Sequence, residues 1–174
     1  MPTPTQHELL SQVVAAYEYE YRDSADNWKV LDTKAQGSVA VAGIFIAGSL
    51  ALAQRFTGGT AVASRIVLGV GALLLLIAVG CALVVLKIRS VDAPPDGQSV
   101  SDLIKDVIAG GDPVSDERYV RHLHDRIKAW HKGNGQVSKA NSSKATWLWA
   151  AQLCLGGAIL TFAGLVGLEL FGKL

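Results

Sequence analysis

The sequence predicts an all-α membrane protein: a three-span transmembrane helical protein with a cytoplasmic extension of two long helices and one short helix. Three observations carry this. Charged residues are 18% of the 174-residue chain, against about 25% in a soluble domain. The deficit is concentrated in apolar stretches at 37–54, 66–86 and 147–168, none of which holds a Lys, Arg, Asp or Glu. Outside them, apolar residues recur at steps of three and four, the period of a helix face. The composition, 50% hydrophobic with 16 Lys plus Arg against 15 Asp plus Glu, excludes a disordered chain and a strongly basic nucleic-acid-binding module. Cys81 and Cys154 both lie in apolar stretches, which excludes a disulfide scaffold and a cysteine metal site.

The segment 1–36 reads as a cytoplasmic helix. Thr5-Gln-His-Glu8 fits a capping box, and neither Pro nor Gly follows until Gly37. Leu10, Val14, Tyr17, Tyr21, Ser24, Trp28, Leu31 and Ala35 alternate steps of four and three. This is a coiled-coil-like seam of about four heptads, weakened at Ser24. The helix is expected to run unbroken into the first span.

The spans at 37–54, 66–86 and 147–168 are each near the ~20 residues that cross a bilayer core of about 30 Å. The first starts more than thirty residues into the chain, behind a charged and aromatic segment, so it reads as a span rather than a cleaved signal. Positive residues orient the bundle. Segments 1–36 and 87–146 hold thirteen Lys and Arg between them, and the connector 55–65 plus the tail hold three. The positive-inside rule then sets the N-terminus and the insert 87–146 in the cytoplasm and the C-terminus outside, in the cell inner membrane. Gly43/Ala47 and Ala163/Gly167 have small-xxx-small spacing, which predicts close helix packing and a homo-oligomer. Gln152 is the strongly polar side chain well inside a span.

In the insert, Asp92-Ala-Pro-Pro-Asp-Gly97 marks a loop, and a short helix is expected over 101–109. Ser115 caps a second long helix running toward the third span, with a seam at Tyr119, Leu123, Ile127, Trp130, Val137, Asn141, Ala145 and Leu148. Gly133-Asn-Gly135 is expected to kink or open it. Residues 5–35 and 115–146 each extend ~45–48 Å as helix, and both approach the membrane, so they are expected to lie parallel.

The juxtamembrane segments then bring candidate ligand-binding residues to one height: Trp28, Asp32, Lys34, Asn141 and Lys144. Ammonium groups suit a phosphate, and an indole face suits a base. The same residues equally suit anchoring, with Lys snorkelling, Trp at the interface and Asp32 paired to a nearby Lys. Tyr17, Tyr19 and Tyr21 offer a stack for a base, or else Tyr17 and Tyr21 are seam residues and Tyr19 is exposed. His122 and His124 diverge by about 200° on a helix, wrong for one metal. The sequence holds no phosphate loop, nucleophile elbow or paired catalytic carboxylates, so no enzyme, metal or resident cofactor is expected.

Asp32-Thr-Lys34-Ala35 directly before the first span, and Ala140-Asn141-Ser-Ser-Lys144-Ala145 directly before the last, give the layout of a known group. Over residues 5–170 the chain resembles the transmembrane Pycsar effector family and, more loosely, the SLATT membrane domains. The resemblance implies an antiphage effector. A cognate cyclase makes a cyclic pyrimidine nucleotide, cCMP or cUMP, and the effector impairs the inner membrane so that infection aborts. Asp32, Lys34, Ala35, Asn141, Lys144 and Ala145 match the motif positions. No separate cyclic-nucleotide-binding domain accompanies them. The alternative is a non-catalytic membrane scaffold that docks a partner protein through its cytoplasmic helices.

Overall fold

The computed structural model describes residues 6–55, 62–88 and 116–171, in three helices: α1 (Gln6–Arg55), α2 (Val62–Lys87) and α3 (Asp116–Phe171). All three are long and apolar enough to cross a membrane. Each apolar stretch of the sequence lies inside one helix. The Thr5 cap, the 92–97 loop and the short helix at 101–109 lie outside the described residues.

The chain forms two compact units. The first takes residues 1–28 and 90–141, the second 29–89 and 142–174. In each unit α1 and α3 run parallel. Hydrogen-bonded partners on the two helices are 114 or 117 residues apart in the first unit and 112 apart in the second. A nearly constant difference marks a parallel pair, because an antiparallel pair keeps the sum constant.

In the first unit Val14, Leu123 and Trp130 form the buried core, with Leu10, Tyr17, Tyr21 and Ile127 packed against it. Tyr21 meets Trp130 edge-on at 5.3 Å, and Tyr17 meets His131 at 5.9 Å. Such pairs contribute about 0.5–1.5 kcal/mol beyond area burial. Tyr17 and Tyr21 are thus seam residues, and Tyr19 is 76% exposed. Charge matches the pairing. Across 6–28, α1 has five carboxylates and one Arg, while across 116–141 α3 has six Lys and Arg and three carboxylates.

The second unit adds α2. Ala35, Ala82, Val85, Leu148 and Ala151 form one core cluster, and Ala42, Leu75, Ala158 and Phe162 another. Phe45 stacks on Phe162 with ring centres 6.4 Å apart. α2 comes so close to α3 that a Cβ on Gly71 would stand 2.9 Å from Phe162 Cζ. Only 22% of the most apolar stretch of each helix is buried within the chain. Ile44, Leu76 and Leu160 are among the outward-facing residues. Ordered packing with most apolar surface outside suits a lipid solvent.

Two expectations about α3 are corrected. The helix does not open at Gly133-Asn-Gly135 but is continuous through it, and Gly133 and Asn134 are buried. Each helical glycine costs about 1 kcal/mol relative to Ala. Two hydrogen bonds from Asn134 to α1, at about 0.5–1.5 kcal/mol each, offset that locally. Lower down, the seam passes through Lys144 rather than Ala145, which is exposed, as is Tyr119 at the top. The step after Asn141 is three, not four: positions 134, 137, 144, 148 and 151 are buried and 141 is half-buried, which keeps the heptad unbroken.

Candidate functional site

The polar residues of the α1–α3 seam make the candidate site, and helix period determines which of them meet. On α1, Asp32 stands one turn before Ala35, which is fully buried. On α3, Lys144 stands one turn before Leu148 and two before Ala151, both buried. In the parallel register, Lys144 Nζ donates to Asp32 Oδ1 at 2.6 Å. The Lys144 side chain is wholly buried, and that of Asp32 is 31% exposed. Burying an ammonium is costly unless a charged partner compensates it. The pair therefore fixes the register of the helices: sliding either by one residue strands the charge.

The structure joins two of the five predicted residues, Asp32 and Lys144, in the second unit. Lys34 belongs to the same unit and is exposed; its carbonyl accepts a bond from Ser38 Oγ at 3.0 Å. The Lys144 ammonium faces the Asp32 carboxylate. Trp28 and Asn141 belong to the first unit. Trp28 is half-buried, and Asn141 Nδ2 donates to the Ser24 carbonyl at 2.8 Å.

Three polar participants escape a reading of the sequence. Asn134 Nδ2 donates to the Tyr17 carbonyl at 3.2 Å and to Glu20 Oε2 at 3.0 Å. It repeats, one heptad earlier on both helices, the grip of Asn141 on Ser24. Ser38 and Ser49 are buried seam residues of α1, each bonding a carbonyl of its own helix. The signal for Asn134 was present in its spacing, four after Trp130 and three before Val137, but its flanking glycines read as a break.

Chemically, the second unit offers a buried ion pair with a partly exposed carboxylate, and the first unit, by itself, two carboxamides bound to helix carbonyls. In the first unit the Tyr17 hydroxyl also lies 3.4 Å from His131 Nδ1. No family model, curated protein or solved structure matches the chain.

Proposed function

We propose that this protein is a membrane effector of an antiphage cyclic-nucleotide signalling system. It senses cCMP or cUMP from a cognate cyclase through its cytoplasmic helices and impairs the inner membrane, causing abortive infection. The observation that carries the reading is the Asp32–Lys144 bond. The two short motifs on which the resemblance rests lie 112 residues apart in the chain, and they meet in this one pair.

In this reading the N-terminus and the 87–146 insert face the cytoplasm, and the C-terminus lies outside. Trp147 and Trp149, exposed at the start of the third apolar stretch, suit the headgroup level. The partly exposed Asp32 carboxylate is the point of access. An arriving phosphate competes with it for Lys144, and the exposed Lys34 supplies a second cation. Releasing the register pair shifts α1 against α3, and the ligand drives the shift only by its differential affinity for the two arrangements. Gly43, Ala47 and Ala163 are all exposed, which supports packing between copies in a homo-oligomer.

The test is co-expression with an active cyclase while a potential-sensitive dye reports the membrane, together with calorimetry of the purified protein and cCMP or cUMP. Depolarisation that Lys34→Ala abolishes along with nucleotide binding supports the proposal. An unchanged membrane potential with an active cyclase overturns it.

One observation favours a second reading, a non-catalytic scaffold docking a partner protein. Leu9 and Val13, one turn apart on α1, are 49% and 41% exposed. That reading predicts a complex in detergent that no nucleotide alters, disrupted by Leu9→Asp.

A further inference from the structure

Gln152 belongs to the third apolar stretch, one turn beyond the exposed Trp149, and is itself exposed on the surface of the second unit. Among the described residues its carboxamide has no hydrogen-bond partner. With this stretch in a bilayer, an amide turned outward is costly, because hydrocarbon supplies neither donor nor acceptor. A polar partner at the same depth removes that cost.

A second copy of this chain supplies one. Copies inserted in one orientation carry every residue at the same depth. A two-fold axis along the membrane normal, on this side of α3, sets Gln152 against Gln152. A carboxamide is self-complementary, donating through Nε2 and accepting through Oε1, so the two side chains close a reciprocal pair of hydrogen bonds. A lipid tail offers neither half of that pair.

The shape of the same face agrees. At about 100° per residue, Gly156, Ile159 and Ala163 lie within about 40° of Gln152 around α3. Ile159 and Ala163 line a groove of about 620 Å³ whose other wall, on α1, includes Ile44, Phe45 and Gly48. The groove opens on the flank of Gln152 toward α1. Leu160, 75% exposed, stands on the opposite flank, about 80° from Gln152. Two-fold symmetry turns the Leu160 flank of one copy toward the groove flank of the other, at one depth. A Cβ on Gly156 would meet nothing within 4 Å, so the backbones can approach beside the amides.

We infer that α3 pairs with α3 of a second copy, through a Gln152–Gln152 amide pair and with each Leu160 seated in the other copy's groove. This deepens the homo-oligomer of the proposed function and rests on its membrane placement; it makes no use of the nucleotide.

Energy transfer between donor- and acceptor-labelled full-length chains in bilayers tests it. Gln152→Met keeps the side-chain length and removes the hydrogen bonds, and association should weaken about tenfold. Leu160→Ala should weaken it separately, through the groove. In a chain carrying Cys81→Ser and Cys154→Ser, Ala163→Cys should cross-link between copies on oxidation. Leu153→Cys, exposed but about 100° from Gln152, should not. A monomeric parent overturns the proposal, as does cross-linking at position 153 in place of 163. Association unchanged in Gln152→Met also overturns it, and is the result expected if the amide reaches the headgroups instead. Should the chain without its native cysteines not fold, the association measurements alone decide. Nucleotide is absent throughout, so a failed pairing leaves the signalling reading standing, and a failed membrane response to the cyclase leaves the pairing.

Discussion

The two units use one helix pairing with opposite materials. In the first, the seam is aromatic and amide-bearing: Tyr17, Tyr21, Trp130, Asn134 and Asn141. In the second it is made of small residues closed over an ion pair: Ala35, Ser38, Ala42, Ala151 and Ala158 around Asp32 and Lys144. In the proposed membrane reading the first unit stands in water and the second in lipid, and the difference follows from those solvents. In water, large side chains gain from leaving it, and buried amides can borrow partners from it. In lipid, apolar burial between helices gains little, and association comes from close backbone approach and satisfied polar bonds. The heptad spacing is common to both units, so a parallel register is compatible with either material. Substitutions that exchange the materials should therefore fail in different ways.

The largest expected effect is in the second unit. Asp32→Ala removes the carboxylate partner of a wholly buried ammonium, which costs about 3–5 kcal/mol. Thermal unfolding in detergent should show it as a collapse of the transition. The paired change Asp32→Leu with Lys144→Met should recover most of the loss, because apolar replacement of both partners is often neutral or stabilising. If the double variant is as weak as the single one, the pair is not the register lock described above.

Gly71→Ala comes next. Its new Cβ would stand 2.9 Å from Phe162 Cζ, inside the closest ordinary contact, and the ring is held by its stack on Phe45. Overpacking of this kind costs about 1–3 kcal/mol. Phe162→Leu in the same chain should restore the wild-type transition by making room. No such sensitivity is expected in the first unit at Gly135, where a Cβ has open space.

Gly43 faces outward and a Cβ there also meets nothing. Gly43→Leu should leave unfolding unchanged while weakening self-association in detergent about tenfold, near 1.4 kcal/mol. Cross-linking or sedimentation reads that difference. Unchanged association would remove this face from the oligomer proposal.

The seam on α1 was legible from spacing alone. Every position from Leu10 to Ala35 named by the four-and-three rule is buried or half-buried, including the weak Ser24. The three helices long and apolar enough to cross a membrane were legible because a run without charge has few other uses. On α3 the reading failed wherever polarity or glycine opposed the period. Gly133 and Gly135 outweighed Asn134, and Ala145 was preferred to Lys144 because a lysine looks like a surface residue. In both cases the tertiary partner, a helix carbonyl or a carboxylate 112 residues away, reverses the local preference. No local rule carries that information. The ion pair was readable as a possibility from Asp32 and a nearby Lys, but not as the buried element that it is.

Asn141→Leu is the smallest and most discriminating change. It removes the Nδ2 bond to Ser24, about 0.5–1.5 kcal/mol. It also removes a buried, unpartnered Oδ1, whose desolvation penalty is of similar size. The Ser24 carbonyl keeps its in-helix bond, so nothing new is stranded. The two terms nearly cancel, and the unfolding transition should move by less than about 1 kcal/mol. Register specificity should change instead, because a buried polar seam residue excludes alternative pairings that leucine permits. Disulfide trapping between cysteines placed at Ser24 and Ser138 and at neighbouring positions would report it: one dominant pairing in the parent, several in the leucine variant. A single pairing in both would mean that Asp32 and Lys144 set the register of this seam without help from the first unit.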